Sequence, residues 1–173
     1  IFSQITPTAL SSERRFSRQA MKRFITTLLL TAALCGAADS VHAQEADRIL
    51  GTYLVEGETT HELSKVRIYK KGDAYEARII WLEHPDDEAG HPRLDLLNPD
   101  PALRSGRADA IVLVRGLHYD AKKAKWTGGT IYNPVDGKIY DAQAEFDGPR
   151  KLRMRGYVGK PVFGRDLIWE KLE

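Results

Sequence analysis

The sequence predicts an all-β chain: an antiparallel up-and-down barrel of about eight strands, with one long loop at 83–108. Three observations lead there. The stretch W-T-G-G-T-I-Y-N-P-V-D-G-K-I-Y (126–140) sets two β-patterned runs around a Pro/Asp/Gly turn, with glycines inside the first run, so this hairpin must bend or pack closely. Alternating apolar and polar residues recur from residue 49 to the end. Most of these runs are joined by short turns, which favours antiparallel neighbours.

In order, Ile49–Val55 (I-L-G-T-Y-L-V) reads as the first strand. Lys65–Tyr69 is the second, with Val66 and Ile68 on one face. Lys71-Gly72-Asp73 is a turn. Tyr75–Leu82 is the third strand, its face Tyr75, Ala77, Ile79 and Trp81 set against Glu76 and Arg78. The segment 83–108 then breaks the rhythm with four prolines and many charges. A stretch this long in a small domain is expected to be functional or partly ordered, with a short helical turn around 101–105. Ile111–Tyr119 resumes β character, followed by Trp126–Tyr132 and Lys138–Phe146. In Lys151–Val158, Leu152, Met154, Gly156 and Val158 face one way, and Arg153, Arg155 and Tyr157 the other. Gly164–Leu172 is the last strand. Eight strands can close and remove their edges. The face Tyr140, Ala142, Ala144, Phe146 is apolar with small middle positions, so the interior is either an open space or filled from facing strands.

Residues ahead of the strands read as addressing. Met21-Lys22-Arg23, the apolar run 24–37 and Val41-His42-Ala43 make the three parts of a secretory signal peptide at 21–43, which implies a periplasmic or secreted protein. The apolar run falls short of the about 20 residues that span a bilayer, so no transmembrane segment is expected after signal removal. Residues 1–20 read as a disordered extension from a misassigned upstream start. Cys35 follows Leu34, where a lipid anchor needs a small residue. Cleavage after Ala43 would leave a single domain, 44–173, with no cysteine and hence no disulfide. The whole chain has 26 basic and 24 acidic residues; the leader holds five and two, leaving 21 and 22, a net charge of −1. That balance argues against nucleic acid as a partner.

Several motifs together resemble a known family. I-I-W-L (79–82), N-P-D-P-x-L-R (98–104), W-x-G-G-x-I-Y-x-P (126–134), G-K-x-Y (137–140), R-G-Y-x-G (155–159) and F-G-R (163–165) with Trp169 are similar to the domain of unknown function 2147, small secreted bacterial proteins without an assigned activity. The resemblance spans the chain from 44 onward. It implies a lipocalin-like barrel, exported, with a small apolar ligand. Tyr53 stands where G-x-W is commoner, and cysteines typical of the second hairpin are absent, so no role for such a pair carries over.

Candidate site residues follow. Trp81, Trp126, Tyr132 and Tyr140 are either pocket lining or core, and Trp169 shares that choice. Prolines 99 and 101 hold Asn98 and Asp100 extended; their side chains either cap nearby amides, Asp100 starting a turn that ends near Arg104, or form a polar lip. Arg155 is either a structural residue, stacked on an aromatic at the barrel end, or a carboxylate clamp. His84, Asp86 and His91 are metal-capable but match no standard spacing. No nucleophile motif or catalytic residue is recognisable, and no cofactor is implied. A small hydrophobic or amphipathic ligand is the favoured partner; an envelope protein partner, met by the long loop, is the alternative, and a metal-dependent hydrolase a weaker one.

Overall fold

The structure is a computed structural model that describes residues 43–173. The upstream extension and, but for its last residue, the leader lie outside the described residues. Ala46–Glu173 form one compact unit. Its strands are β1 (Gly51–Glu56), β2 (Leu63–Lys71), β3 (Ala74–Leu82), β4 (Val112–Asp120), β5 (Lys125–Asn133), β6 (Lys138–Phe146), β7 (Lys151–Tyr157) and β8 (Arg165–Lys171). They close in sequence order into an antiparallel barrel. Closure runs through Tyr53↔Lys171, Leu54↔Glu170 and Val55↔Trp169.

Alternation of side chains decides the interior. Tyr53, Val66, Trp126, Ala144, Leu152, Met154 and Trp169 are at most 1% exposed. The expected face of β6 is met: Ala142 and Ala144 are buried and Tyr140 and Phe146 half-buried. Large residues answer these small ones, since Trp126 pairs with Ala144 and packs its ring edge-on against Phe146, centroids 5.7 Å apart.

The glycines of β5 act at two distinct points. Gly128 takes φ +77° where the β5–β6 register slips, and Gly116 of β4 takes +70° where the β3–β4 register slips. Gly129 has an ordinary φ, but a Cβ there would lie 2.6 Å from the Arg115 carbonyl oxygen and 2.9 Å from the Leu117 nitrogen. Two strand backbones thus approach as closely as the sequence pattern implies.

One end of the barrel holds the turns 72–73, 121–124 and 147–150 and is plugged by residues 46–50. The Trp126 indole N–H donates to the Ala46 carbonyl (3.0 Å), the Tyr53 hydroxyl to the Ile49 carbonyl (2.8 Å), and the Tyr75 hydroxyl to Asp47 (2.5 Å). Ile49 is fully buried. The first strand was expected to start at Ile49; it starts at Gly51, and Ile49 and Leu50 belong to the plug instead.

At the other end lie the connections 57–62, 83–111, 134–137 and 158–164. The long loop is ordered by its own bonds: bridges Asp86↔Pro92 and Leu94↔Arg107, and 3-10 turns at Pro101–Leu103 and Ala108–Ala110. Its last residues, Ala108 and Ile111, join the core. Among the described residues no helix is long and apolar enough to cross a membrane.

The expectation for Trp81 is corrected. Pairing jumps from Val66↔Ile79 to Lys65↔Trp81, so Ile80 is a bulge residue that reverses the faces beyond it. Trp81 therefore lies outside with Lys65, 40% exposed, the Lys65 ammonium 5.2 Å from its ring centre, while Leu82 turns inward.

Candidate site at the barrel mouth

Inward-facing columns are not equally buried along the barrel. Near the plug they are sealed. At the loop end, Ser64 of β2, Tyr140 of β6, Gly156 of β7 and Leu167 of β8 remain half-exposed above a floor of Val55, Ile79, Leu82 and Ile131. Their common orientation follows from register: Ser64↔Val55, Tyr140↔Ile131, Gly156↔Ala142 and Leu167↔Met154. Gly156 keeps this wall low, since a Cβ there would already touch the Ile131 methyl at 3.2 Å. Arg165, opposite Gly156, sits at the same rim and is exposed.

The rim is polar where the floor is apolar. The Tyr140 hydroxyl donates to Asp136 at 2.6 Å. That bond holds the Asp136 carboxyl below its ordinary range, and it raises the tyrosine, with burial adding to the rise and the charge of Arg165 opposing it. Arg165 pairs with Glu58 at 3.3 Å, an exposed contact that can be exchanged for another anion at little cost. The arrangement suits a molecule with an apolar body and a polar or anionic head.

Not every expected residue reaches this mouth. Trp126 lies at the opposite, plugged end, fully buried. Trp169 is also interior; its indole N–H is buried with no acceptor, an arrangement that costs about 1–3 kcal/mol. Tyr132 is buried on the other side of the wall, because Ile131 takes the inward position. The long loop lies against it there: the Tyr132 hydroxyl donates to Asp95 Oδ1 (2.6 Å), and Asn98 Nδ2 donates to Asp95 Oδ2 (2.6 Å). Burial first, and then this bond to a carboxylate, push the Tyr132 hydroxyl far up. Asp100 caps the 3-10 turn by accepting from the Ala102 amide (2.9 Å), and Asn98 Oδ1 accepts from the Asp100 amide. The turn ends at Arg104, whose Nε donates to the Asn98 carbonyl. Asn98 and Asp100 thus take the capping role, and with Tyr132 they anchor the loop.

Arg155 is on the outer face and is committed to three partners. It donates to the carbonyls of Pro161 (2.6 Å) and Gly164 (3.2 Å) and to Asp166 (2.7 Å), which makes it structural, though through carbonyls and not by stacking on an aromatic. His84 lies 3.8 Å from Glu62, His91 lies 3.7 Å from Asp87, and Asp86 sits in the bridge to Pro92. No group of three or more His, Cys, Asp or Glu among the described residues is placed to hold a metal ion.

Arg165, Leu167, Ser64 and Asp95 are among the residues with a part in this geometry that went unrecognised as site residues in sequence. Arg165 and Leu167 share the inward parity of Trp169 and were legible from R-D-L-I-W. Ser64 was hidden because the second strand begins earlier than its alternation suggested. Asp95 carried one signal, a lone acid among the leucines of L-D-L-L.

The profile of an uncharacterized protein family conserved in bacteria, DUF2147, matches residues 51–171. The chain belongs to that family. The match runs from the first residue of β1 to the last of β8, so the DUF2147 unit and the barrel coincide. Among solved structures this chain is similar to protein HP1028 of Helicobacter pylori, described as belonging to the lipocalin family, with a TM-score of 0.60 and 24% identity over 72% of this chain and 83% of that one. At that identity the likeness shows the fold, a lipocalin-like barrel. No curated protein matches this DUF2147 chain.

Proposed function

We propose that this DUF2147 chain is an exported, periplasmic or secreted carrier that holds a small amphipathic ligand in its barrel mouth. The observation that carries the reading is the burial gradient of the inward columns. One end is plugged by residues 46–50, while Ser64, Tyr140, Gly156 and Leu167 stay reachable at the other. The ligand's apolar part would rest on Val55, Ile79, Leu82, Ile131 and Leu167. Its head would meet Tyr140 and Arg165, the latter exchanging Glu58 for an anionic group. The signal-peptide pattern at 21–43 supports export.

The chain isolated from its host's envelope fraction and analysed by native mass spectrometry should carry a bound mass that denaturation releases. Long-chain carboxylic acids should then compete for the same place, changing the fluorescence of the interior Trp169. A chain that carries nothing and takes up no apolar or amphipathic compound would refute the reading. A second reading, an envelope protein-interaction module, draws support from Leu96 and Leu97, 67% and 55% exposed on the anchored long loop. Crosslinking in cells should then capture a defined partner that Leu96→Ser with Leu97→Ser abolishes.

A further inference from the structure

The connection between β7 and β8, V-G-K-P-V-F-G (158–164), presents Val158, Val162 and Phe163 at 69%, 72% and 76% exposure. Soluble chains normally bury such residues or scatter them singly. Here three sit on one short loop that is braced by bonds of its own. The Phe163 amide donates to the Lys160 carbonyl (3.0 Å), the Gly164 amide to Pro161 (3.0 Å), and the Lys160 amide to Val158 (2.9 Å). Pro161 has no amide hydrogen to satisfy, and its fixed φ suits the start of the 3-10 turn Pro161–Phe163. Arg155 then takes up the Pro161 and Gly164 carbonyls from outside the barrel, itself fixed by Asp166.

A loop that bonds its Lys160, Phe163 and Gly164 amides internally and turns apolar side chains outward suits the interfacial layer of a bilayer, where water and headgroups stay within reach of the remaining backbone. We propose that this loop inserts into the interfacial layer of an anionic bilayer, Val158, Val162 and Phe163 entering the acyl boundary and Lys160 meeting the headgroups. Two features select lipid over protein. The three side chains expose on the order of 400 Å², about half of what each partner of a stable protein interface contributes. The loop's one charged residue, Lys160, is basic, which complements anionic headgroups. The inference is independent of the ligand reading, since the inserted residues lie on the loop and not in the mouth.

The test uses the full chain and a probe at the loop itself, so that membrane attraction by the apolar segment 24–37 cannot imitate it. In a Cys35→Ser background, Phe163→Cys and, at the plugged end, Lys122→Cys are each labelled with an environment-sensitive fluorophore. They are mixed with vesicles of phosphatidylcholine, with and without phosphatidylglycerol. The label at 163 should shift to the blue and be quenched by spin-labelled lipid on the anionic vesicles, while the label at 122 stays in water. Lys160→Ala should weaken that response about fivefold, and raised salt should weaken it too. A label at 163 that remains in water, whether or not the chain sediments with vesicles, overturns the proposal. So does an equal response from both positions, or a response that is indifferent to phosphatidylglycerol.

Discussion

Tyr132→Phe should loosen the long loop from the barrel wall, by an amount set by burial. The hydroxyl donates to Asp95 at 2.6 Å, and Tyr132 and Asp95 are only 7% and 5% exposed. A hydrogen bond to a charged group is worth about 1.5–3 kcal/mol net. Removing the donor leaves Asp95 Oδ1 buried with one partner fewer, so the loss should reach that range and not the smaller value of an exposed pair. For a unit of this size each kcal/mol moves the melting temperature by about 4 °C, which gives a fall of about 6–12 °C. Urea denaturation at pH 7 should show a lower midpoint with unchanged slope. Hydrogen exchange should localise the effect to amides that bond within the loop, such as Asp95 to Gly106 and Ala108 to Arg93. Tyr140→Phe is the internal control: its bond to Asp136 is just as short but exposed, and the midpoint should not move. Equal effects at Tyr132 and Tyr140, or a midpoint unchanged by Tyr132→Phe, would refute the argument that burial sets the strength of this anchor.

Gly129→Ala should destabilise the barrel by about 2–3 kcal/mol, because its Cβ would strike the Arg115 and Leu117 backbone. Gly128→Ala, with open space but φ +77°, should cost only about 1–2 kcal/mol, and thermal melts that reverse this order would contradict the assignment. Trp126→Phe keeps an aromatic ring but leaves the Ala46 carbonyl without its donor. It should cost about 1–2 kcal/mol and release protection at the Leu50 amide, read by hydrogen exchange. The Tyr75 hydroxyl, and then Lys70, hold the Asp47 carboxyl below its ordinary value. A carboxyl depressed in the folded state contributes stability above its unfolded pKa, which fades as pH falls through the folded one. Asp47→Asn should therefore cost most at neutral pH and progressively less as pH falls below the ordinary carboxyl range, as followed by urea midpoints.

The strands were legible because alternation is local. Leu152, Met154 and Gly156 of β7 share one face in sequence and in the barrel, and the β6 face from Tyr140 to Phe146 is as expected. Trp81 was misplaced because a single bulge residue, Ile80, reverses parity, and nothing in I-I-W-L marks which residue slips. Tyr132 was grouped with the pocket aromatics although its neighbour Ile131 occupies the inward position. Its burial comes from Asp95, 37 positions away, and no local pattern announces such a contact. The caps at Asn98 and Asp100 were readable, since proline geometry and Asx chemistry act within a few residues. The plug was not, because A-D-R-I-L continues into strand-like sequence and its partners, Trp126 and Tyr75, are distant.

Binding at the mouth can be followed by titration with a fluorescent polyene fatty acid. Energy transfer from the interior tryptophans should saturate at one molecule per chain. Leu167→Trp, which puts a bulkier side chain at this half-exposed inward position while leaving the barrel's β-sheet circular dichroism intact, should abolish it. Saturable binding that survives Leu167→Trp, or no saturable binding in the unaltered chain, would contradict the account.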